Sequence, residues 1–210
     1  MTRLYAISAV ALVAVMLGGI GYMILTGPGG DDPFAACRTT QVSGGMGSIG
    51  GPFTLVNGGG ETVTEAEVIT EPAILYFGYT FCPDICPFDA ARNADAVDLL
   101  AGMGVSATPV FISIDPERDT PEVVGDFAAN MHPKMIGLTG SPEQVRTASQ
   151  AYRTYFRKQE GDPDYYLVDH STFSYLALPD HGVVEVFRRD TTAEEMARAV
   201  ACFAAAASSN

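Results

Sequence analysis

Residues 73–87 read AILYFGYTFCPDICP and carry two of the chain's four cysteines, Cys82 and Cys86. The apolar run Ala73–Phe77 predicts a buried strand. Apolar residues recur at helical spacing from Phe88 to Leu100 and predict a helix just after the cysteines. In open α/β sheets, ligands and reactive groups lie at this kind of junction, outside the carboxyl ends of the strands. The two thiols therefore mark the candidate functional site.

Three residues separate Cys82 from Cys86, whereas two separate the cysteines of the thioredoxin redox motif. If the turn is helical, residues four apart lie on one face, so the two sulfurs can approach each other. Two thiolates suit Cu(I) or Zn(II) as metal ligands. A helix N-terminus lowers the pKa of a thiol, which favours metal binding and thiol exchange alike. The pair is therefore either a variant redox dithiol or part of a metal site.

Strand and helix patterns alternate along the rest of the chain. They predict a hairpin of Phe53–Val56 and Thr62–Thr64, strands at Val110–Ile114 and Met135–Leu138, helices from Pro121 and from Ser141 to about Phe156, a hairpin of Thr172–Leu178 and Val183–Arg188, and a last helix from Thr192 to about Ala206. Parallel βαβ units that end in a hairpin and a helix follow the thioredoxin plan. The predicted fold class is therefore α/β, thioredoxin-like, with an added N-terminal β-hairpin.

The N-terminal segment has a different composition. No charged residue occurs from Leu4 to Leu25, and a helix of that length rises about 33 Å, enough to cross a hydrocarbon core of about 30 Å. The sequence therefore predicts a cytoplasmic stretch at 1–3, a single transmembrane helix at 4–26, a Gly-rich tether or leader at 27–52 and the thioredoxin-like domain at 53–210.

Few charges flank the predicted anchor, but their signs indicate an orientation. Arg3 and the terminal amine precede it, and Asp31 and Asp32 follow it. The positive flank then lies in the cytoplasm, and the domain lies in the periplasm or in the mitochondrial intermembrane space. A cleaved signal peptide is the alternative, although the apolar run is longer than a usual signal core and no clear A-x-A cleavage site follows it.

The chain is acidic, with 25 acidic and 12 basic residues and a net charge of −13 over 210 residues. This balance argues against nucleic-acid binding, because phosphates need Lys and Arg to neutralise them. It is compatible with solubility alone or with a basic partner. The length suits one domain of ordinary size plus an appendage.

Three histidines could add a neutral imidazole to the two thiolates. His132 follows a predicted helix and His181 lies in a polar hairpin turn, so both are expected at the surface. His170 follows the apolar run Tyr165–Val168 and opens the segment before a strand. From the residues alone, a loop histidine more often forms a hydrogen bond to the backbone than binds a metal. The third ligand therefore stays open at this level.

Four motifs resemble the Sco/SenC family, membrane-tethered proteins of thioredoxin fold that carry copper to the Cu(A) centre of cytochrome c oxidase. The motifs are Gly78–Pro87, Ser113–Pro121, Gly137–Val145 and Tyr166–Ser171, and they occur in the family's order and at about its spacing. The resemblance covers roughly residues 50–200, which is most of the chain.

The resemblance implies a copper site formed by Cys82, Cys86 and His170, with copper held as Cu(I), Cu(II) or both. It also implies a chaperone that receives copper from an upstream donor and delivers it to the Cu(A)-bearing subunit of cytochrome c oxidase. Asp169 is not expected to orient His170, because adjacent residues in an extended chain point in opposite directions.

A second function, from a different class, uses the same cysteines. Cys82 and Cys86 would be the catalytic dithiol of a thiol–disulfide oxidoreductase that reduces the cysteines of the Cu(A) site or of another partner. The three-residue spacing and the distant histidine argue against a general oxidoreductase, and the thioredoxin-like scaffold argues against a purely passive carrier. A peroxiredoxin is less well supported, since its Pro-x-x-x-Thr-x-x-Cys arrangement is missing around Cys82. An oxidised pair cannot bind copper, so reduction would switch the metal site on.

The other two cysteines, Cys37 and Cys202, have no neighbouring Cys or His at ligand spacing. An even cysteine count and an oxidising compartment favour a disulfide between them. A free, buried thiol at Cys202 is the alternative.

Charged residues in the motifs suggest structural roles. Asp84 is expected to cap the helix that follows the cysteines, and Asp115 is expected to end a strand and form a turn. Arg118 and Asp119 either pair with each other or frame the site.

Overall fold

The computed structural model describes residues 11–22, 32–42, 44–162 and 165–208. Residues 11–22 are helical, and the chain from Ala36 onward forms a separate compact unit. Within the described residues, no helix has the length and apolar character needed to cross a membrane. The predicted stretch at 1–3, and residues 4–10 and 23–26 of the predicted anchor at 4–26, lie outside the described residues, so the anchor stays a prediction.

The strands of the described chain are β1 (Thr54–Asn57), β2 (Thr62–Thr64), β3 (Ala73–Gly78), β4 (Thr108–Ser113), β5 (Ile136–Thr139), β6 (Phe156–Lys158), β7 (Val168–His170), β8 (Ser174–Leu178) and β9 (Gly182–Phe187). Seven of them form the central sheet in the order β2-β1-β5-β4-β3-β8-β9, while β6 and β7 form a separate two-stranded sheet. In the central sheet β3, β4 and β5 are parallel, and the flanking pairs are antiparallel. The predicted α/β thioredoxin-like plan with an added N-terminal hairpin is confirmed.

The centre of the sheet is apolar because it is covered on both faces. Every residue of β3 and of β4 is buried. Parallel strands joined by crossover helices are typically buried in this way, and they read as continuous apolar runs. The carboxyl end of β3, at Gly78, is the edge at which the two site cysteines follow.

The helices of the compact unit are α1 (Glu65–Val68), α2 (Ile85–Gly102), α3 (Pro121–Met131), α4 (Pro142–Ala151) and α5 (Ala193–Ser208). Local signals start two of them as predicted. The Thr120 side chain accepts a hydrogen bond from the backbone N–H of Val123 at the start of α3. Ser141 and Gln144 form a reciprocal capping box at the start of α4. The short helix α1 was not predicted from the sequence.

The prediction that the helix from Ser141 continues to about Phe156 is wrong, because α4 ends at Ala151. Arg153 has a φ of 51°, a left-handed conformation that cannot continue an α-helix. The chain then forms β6, which pairs with β7 so that Phe156 faces His170. His170 therefore lies on a strand, and not in a segment that precedes one.

The leader before the first hairpin packs onto the compact unit from Ala36 onward. Met46 and Ile49 are buried in its hydrophobic core. The backbone N–H of Thr39 donates to the buried carboxylate of Glu185 on β9, at 2.8 Å. The structure also contains the Cys37–Cys202 disulfide, which joins the leader to α5. Residues 36–42 and 44–52 are therefore part of the folded unit.

Candidate metal centre

The loop between β3 and α2 carries the first cysteine of the site, and a buried carboxylate anchors this loop. Asp119 accepts hydrogen bonds from the backbone N–H and the hydroxyl of Thr80, at 2.9 and 2.5 Å. It also accepts one from the Ser113 hydroxyl at 2.6 Å, at the end of β4. Burial raises the pKa of Asp119, and these hydrogen bonds partly oppose that rise. Asp119 thus ties the residues just before Cys82 to the neighbouring strand.

The first turn of α2 is capped by sulfur. The backbone N–H of Cys86 donates to the Cys82 sulfur at 3.3 Å. The predicted side-chain cap by Asp84 is wrong: Asp84 occupies the N-cap position, but its side chain accepts no capping hydrogen bond from any described residue. Its φ of −144° and ψ of −71° differ from the extended conformation that aims an N-cap side chain at the helix.

His170 reaches the cysteines from β7. Its Nε2 atom lies 3.4 Å from the Cys86 sulfur. Its Nδ1 lies 2.8 Å from the backbone carbonyl oxygen of Ser171, which can only accept a hydrogen bond. In the neutral imidazole, Nδ1 therefore carries the proton and donates it, which leaves Nε2 with a lone pair toward the sulfurs.

Asp169 takes no part in orienting the imidazole, as the extended backbone predicts. Its carboxylate accepts hydrogen bonds from Gln159 at 2.6 Å and from Arg157 at 3.4 Å. The backbone carbonyl of Ser171 fills the orienting role that carboxylates have in many metal sites.

The ligand atoms of Cys82, Cys86 and His170 all lie within 4.8 Å of one another. Metal–sulfur bonds of about 2.3 Å and metal–nitrogen bonds of about 2.0 Å place the ligands of one ion about 4 Å apart. Neither cysteine is in a disulfide. The three residues therefore fit one soft metal ion without large movement.

The other two histidines are remote from this centre. His132 Nε2 lies 3.2 Å from the Asp98 carboxylate, near the start of β5 at the opposite end of the sheet. His181 lies in the exposed turn between β8 and β9.

The two thiols differ in exposure and in acidity. Cys86 is fully buried, whereas Cys82 is only partly buried. The hydrogen bond from the Cys86 side chain, helped by the backbone N–H groups of Asp84 and Cys86 and by the Tyr79 hydroxyl, lowers the pKa of Cys82 to about 4. The same sulfur–sulfur hydrogen bond, together with burial, raises the pKa of Cys86. Cys82 is thus the thiolate of the reduced pair at neutral pH.

This asymmetry predicts the pH dependence of alkylation in the reduced protein. Cys82 is expected to react with iodoacetamide at nearly the same rate at pH 6 and pH 8, because it stays ionised until the pH falls to about 4. An ordinary thiol with a pKa of about 8.5 slows about 80-fold over the same interval. Mass spectrometry of the modified peptide measures the rate, with the denatured protein as control. A Cys82 rate that falls in parallel with the denatured protein would contradict the assignment.

Arg118 and Asp119 do not pair with each other. Of the two predicted alternatives, the second therefore holds: both residues frame the site. Arg118 Nε donates to the Asp115 carboxylate at 2.5 Å. The Arg118 guanidinium lies over the Tyr166 ring, 3.6 Å from its centroid, and 4.6 Å from that of Phe81. Asp115 forms the predicted turn, because its carbonyl oxygen accepts from the backbone N–H groups of the same Arg118 and Asp119.

Tyr79 is a site residue that the sequence analysis missed. Its hydroxyl accepts a hydrogen bond from the backbone N–H of Val168 at 3.3 Å, and its ring meets the His170 ring edge-on. Tyr79 therefore joins the cysteine loop to the histidine strand. A tyrosine beside a buried strand carries no sequence signal for this role, because it is equally common in a core.

Comparison with known proteins places the chain in one family. The model of the SCO1/SenC family matches residues 42–205. The chain belongs to the SCO1/SenC family. Within it, the chain is 51% identical to Protein SenC of Rhodobacter capsulatus over 199 residues, covering 94% of this chain and 89% of that protein. It is 37% identical to the mitochondrial SCO1 homolog of Homo sapiens over 156 residues, covering 73% of this chain and 52% of that longer protein.

Solved Sco structures share the architecture. The copper-bound ScoI of Arabidopsis thaliana has a TM-score of 0.70 and 42% identity, covering 74% of this chain and 98% of that one. Copper-bound yeast Sco1 has a TM-score of 0.69 and 35% identity, covering 73% of this chain and 87% of that one. Copper is therefore a ligand of close structural relatives.

Proposed function

We propose that this protein binds copper through Cys82, Cys86 and His170 and delivers it to the Cu(A) site of cytochrome c oxidase during assembly. One observation carries the proposal: two free sulfurs and an imidazole nitrogen with an available lone pair lie within 4.8 Å of one another. Two thiolates and an imidazole suit copper, and two thiolates favour Cu(I) in particular. The copper-bound relatives support copper over zinc.

The surroundings of Cys82 suit transfer to a partner. A cleft of about 320 Å³ opens beside Cys82 and His170, whereas Cys86 is buried behind them. Two apolar side chains are exposed next to the cysteine loop: Phe81, the residue before Cys82, is 47% exposed, and Tyr165, whose ring meets that of Phe81 edge-on, is 74% exposed. Exposed apolar clusters of this kind mark protein interaction sites. The upstream copper donor and the Cu(A)-bearing subunit would both approach from this side.

The proposed location is the outer face of a membrane, in the periplasm or the mitochondrial intermembrane space, with residues 4–26 as the anchor. The Cys37–Cys202 disulfide supports an oxidising compartment, because the cytosol keeps thiols reduced. Two relatives are named as mitochondrial, which supports the mitochondrial alternative to the periplasm.

A thiol–disulfide oxidoreductase is the second candidate, and the asymmetry of the thiols favours it. An accessible thiolate at Cys82 can attack a partner disulfide, and the adjacent Cys86 thiol can resolve the mixed disulfide. The proposed targets are the cysteines of the Cu(A) site. The structure of BsSco, with 26% identity and a TM-score of 0.60, is described as having a disulfide switch.

A transfer experiment tests the chaperone function. The reduced protein is loaded with copper, desalted and mixed with a metal-free, reduced Cu(A) domain of cytochrome c oxidase, and the Cu(A) absorption spectrum is followed. Wild type and His132→Ala are expected to transfer copper, because His132 lies at the opposite end of the sheet. His170→Ala is expected to retain less copper after desalting and to transfer none.

Two outcomes would change the proposal. An unchanged copper content and spectrum in His170→Ala would refute the third ligand. A wild-type protein that reduces an oxidised Cu(A) cysteine pair, yet transfers no copper to the reduced one, would favour the oxidoreductase.

A further inference from the structure

Tyr76 packs against two of the three residues of the candidate metal centre, Cys86 and His170. It is a β3 residue, fully buried, and its ring meets the His170 ring edge-on with centroids 6.2 Å apart. Gly78 makes this packing possible, since a Cβ atom there would lie 2.8 Å from Tyr76 Cε1 and 3.1 Å from the Cys86 sulfur. The Tyr76 ring thus packs beside both the buried sulfur and the imidazole.

The Tyr76 hydroxyl is a buried polar group that the fold does not satisfy. It completes no hydrogen bond with any residue in the described part of the chain. Burial raises the pKa of the Tyr76 hydroxyl, and the nearby Cys86 and Asp89 side chains raise this pKa further. Asp89 lies one helical turn after Cys86 on the same buried face; its Oδ1 pairs with Arg92 at 3.2 Å, and its Oδ2 has no hydrogen-bond partner among the described residues. A buried hydroxyl without a partner is rare enough to indicate a state in which it has one.

The chemistry of sulfur indicates which state that is. The sulfur of a protonated thiol is a weak hydrogen-bond acceptor. Coordination by copper removes the thiol proton and leaves a sulfur that carries negative charge, which is a much stronger acceptor. A tyrosine hydroxyl has a single proton to donate, and the Tyr76 ring packs beside that sulfur at Gly78.

We propose that Tyr76 is a positioning residue that donates a hydrogen bond to the copper-bound Cys86 sulfur and thereby favours Cu(I) over Cu(II). This inference rests on the proposed copper site. A hydrogen bond to a thiolate withdraws electron density from the sulfur, and hydrogen bonding around a ligating cysteine tunes the potential of a copper site. The thiolate keeps more charge beside Cu(I) than beside Cu(II), so the hydrogen bond stabilises the Cu(I) form more.

The experiment compares Tyr76→Phe with wild type and with Tyr152→Phe. Tyr152 is a matched control, because it is equally buried and its hydroxyl also lacks a partner among the described residues, but its ring packs on Phe77 and Tyr175. Each protein is loaded with Cu(II), and the thiolate-to-copper charge-transfer band and the Cu(II)/Cu(I) potential are measured. Thermal unfolding of the metal-free proteins is recorded alongside.

Tyr76→Phe is expected to bind one copper, to shift the band to longer wavelength and to lower the ratio of Cu(I) to Cu(II) affinity about tenfold. That ratio corresponds to a potential about 59 mV more negative. Tyr152→Phe is expected to match wild type in both readouts, and neither variant should unfold at a lower temperature, because each loses only an unpaired hydroxyl.

Each other outcome overturns the inference. An unchanged band and potential in Tyr76→Phe would mean that the hydroxyl does not reach the bound sulfur, while the copper site itself stands. Loss of copper from a folded Tyr76→Phe would mean that Tyr76 builds the site and does not tune it. A wild-type protein that binds no copper would refute the proposed function and this inference together.

Discussion

Replacing Cys86 with alanine is expected to reduce the copper bound by the reduced protein from one ion per chain to none. Cys86 is the fully buried ligand, and its sulfur lies 3.4 Å from His170 Nε2. Its loss leaves a partly exposed thiolate and an imidazole, which do not supply the two soft donors that Cu(I) requires. Cys82→Ala is expected to behave in the same way. Copper per chain after desalting and the charge-transfer band measure the effect.

The matched control removes the other two cysteines. Cys37→Ser combined with Cys202→Ser is expected to keep one copper, because those residues are joined to each other away from the three ligands. Stoichiometric copper with an unchanged spectrum in Cys82→Ala or Cys86→Ala would rule out the two-thiolate site.

The same double serine variant is expected to lower the free energy of unfolding by about 5 kcal/mol. The disulfide closes a loop with a sequence separation of 165 residues, and on the chain-entropy model a loop of this size restricts the unfolded chain by about that amount. The native fold should persist, because α5 keeps its buried contacts through Val200 and Phe203. Denaturant unfolding of the metal-free protein, followed by circular dichroism, gives the free-energy difference.

Strong reducing agent provides the internal comparison for this prediction. It should bring the wild type close to the stability of the double variant and should leave the variant itself unchanged. A difference below about 1 kcal/mol between oxidised wild type and the variant would mean that the disulfide adds little to the stability of the fold.

Local sequence was sufficient for the parts of the site that are close in the chain. Cys82 and Cys86 follow an apolar strand and open a helix, so their proximity depends only on the geometry of one turn. His170 lies 84 residues after Cys86, and its position depends on the pairing of β6 with β7. The sequence predicted a helix up to about Phe156, where β6 begins, and did not predict this pairing. From the residues alone the third ligand stayed open, and the family resemblance decided it.

Other features lay beyond sequence patterns for distinct physical reasons. Aspartate is a common N-cap residue, so the sequence predicts a cap at Asp84. The backbone of the loop does not have the extended conformation that such a cap needs at this position. Tyr76 and Tyr79 belong to a run in which every residue is buried. Because apolar and polar residues do not alternate there, the sequence pattern does not distinguish a core tyrosine from a tyrosine beside the metal ligands. The predicted anchor has a clear compositional signal, yet both of its ends, residues 4–10 and 23–26, lie outside the described residues.

The leader has one more physical consequence, because β9 is the outermost strand of the central sheet. Outer strands expose unpaired backbone groups that can template pairing with another chain, and proteins often block them. Here the Arg38 side chain donates to the Val184 carbonyl at 2.6 Å, and the Thr40 hydroxyl donates to the Val186 carbonyl at 3.1 Å. The disulfide at Cys37 fixes these side chains in place. By holding the leader on β9, the disulfide therefore also keeps this sheet edge from pairing with another copy of the chain.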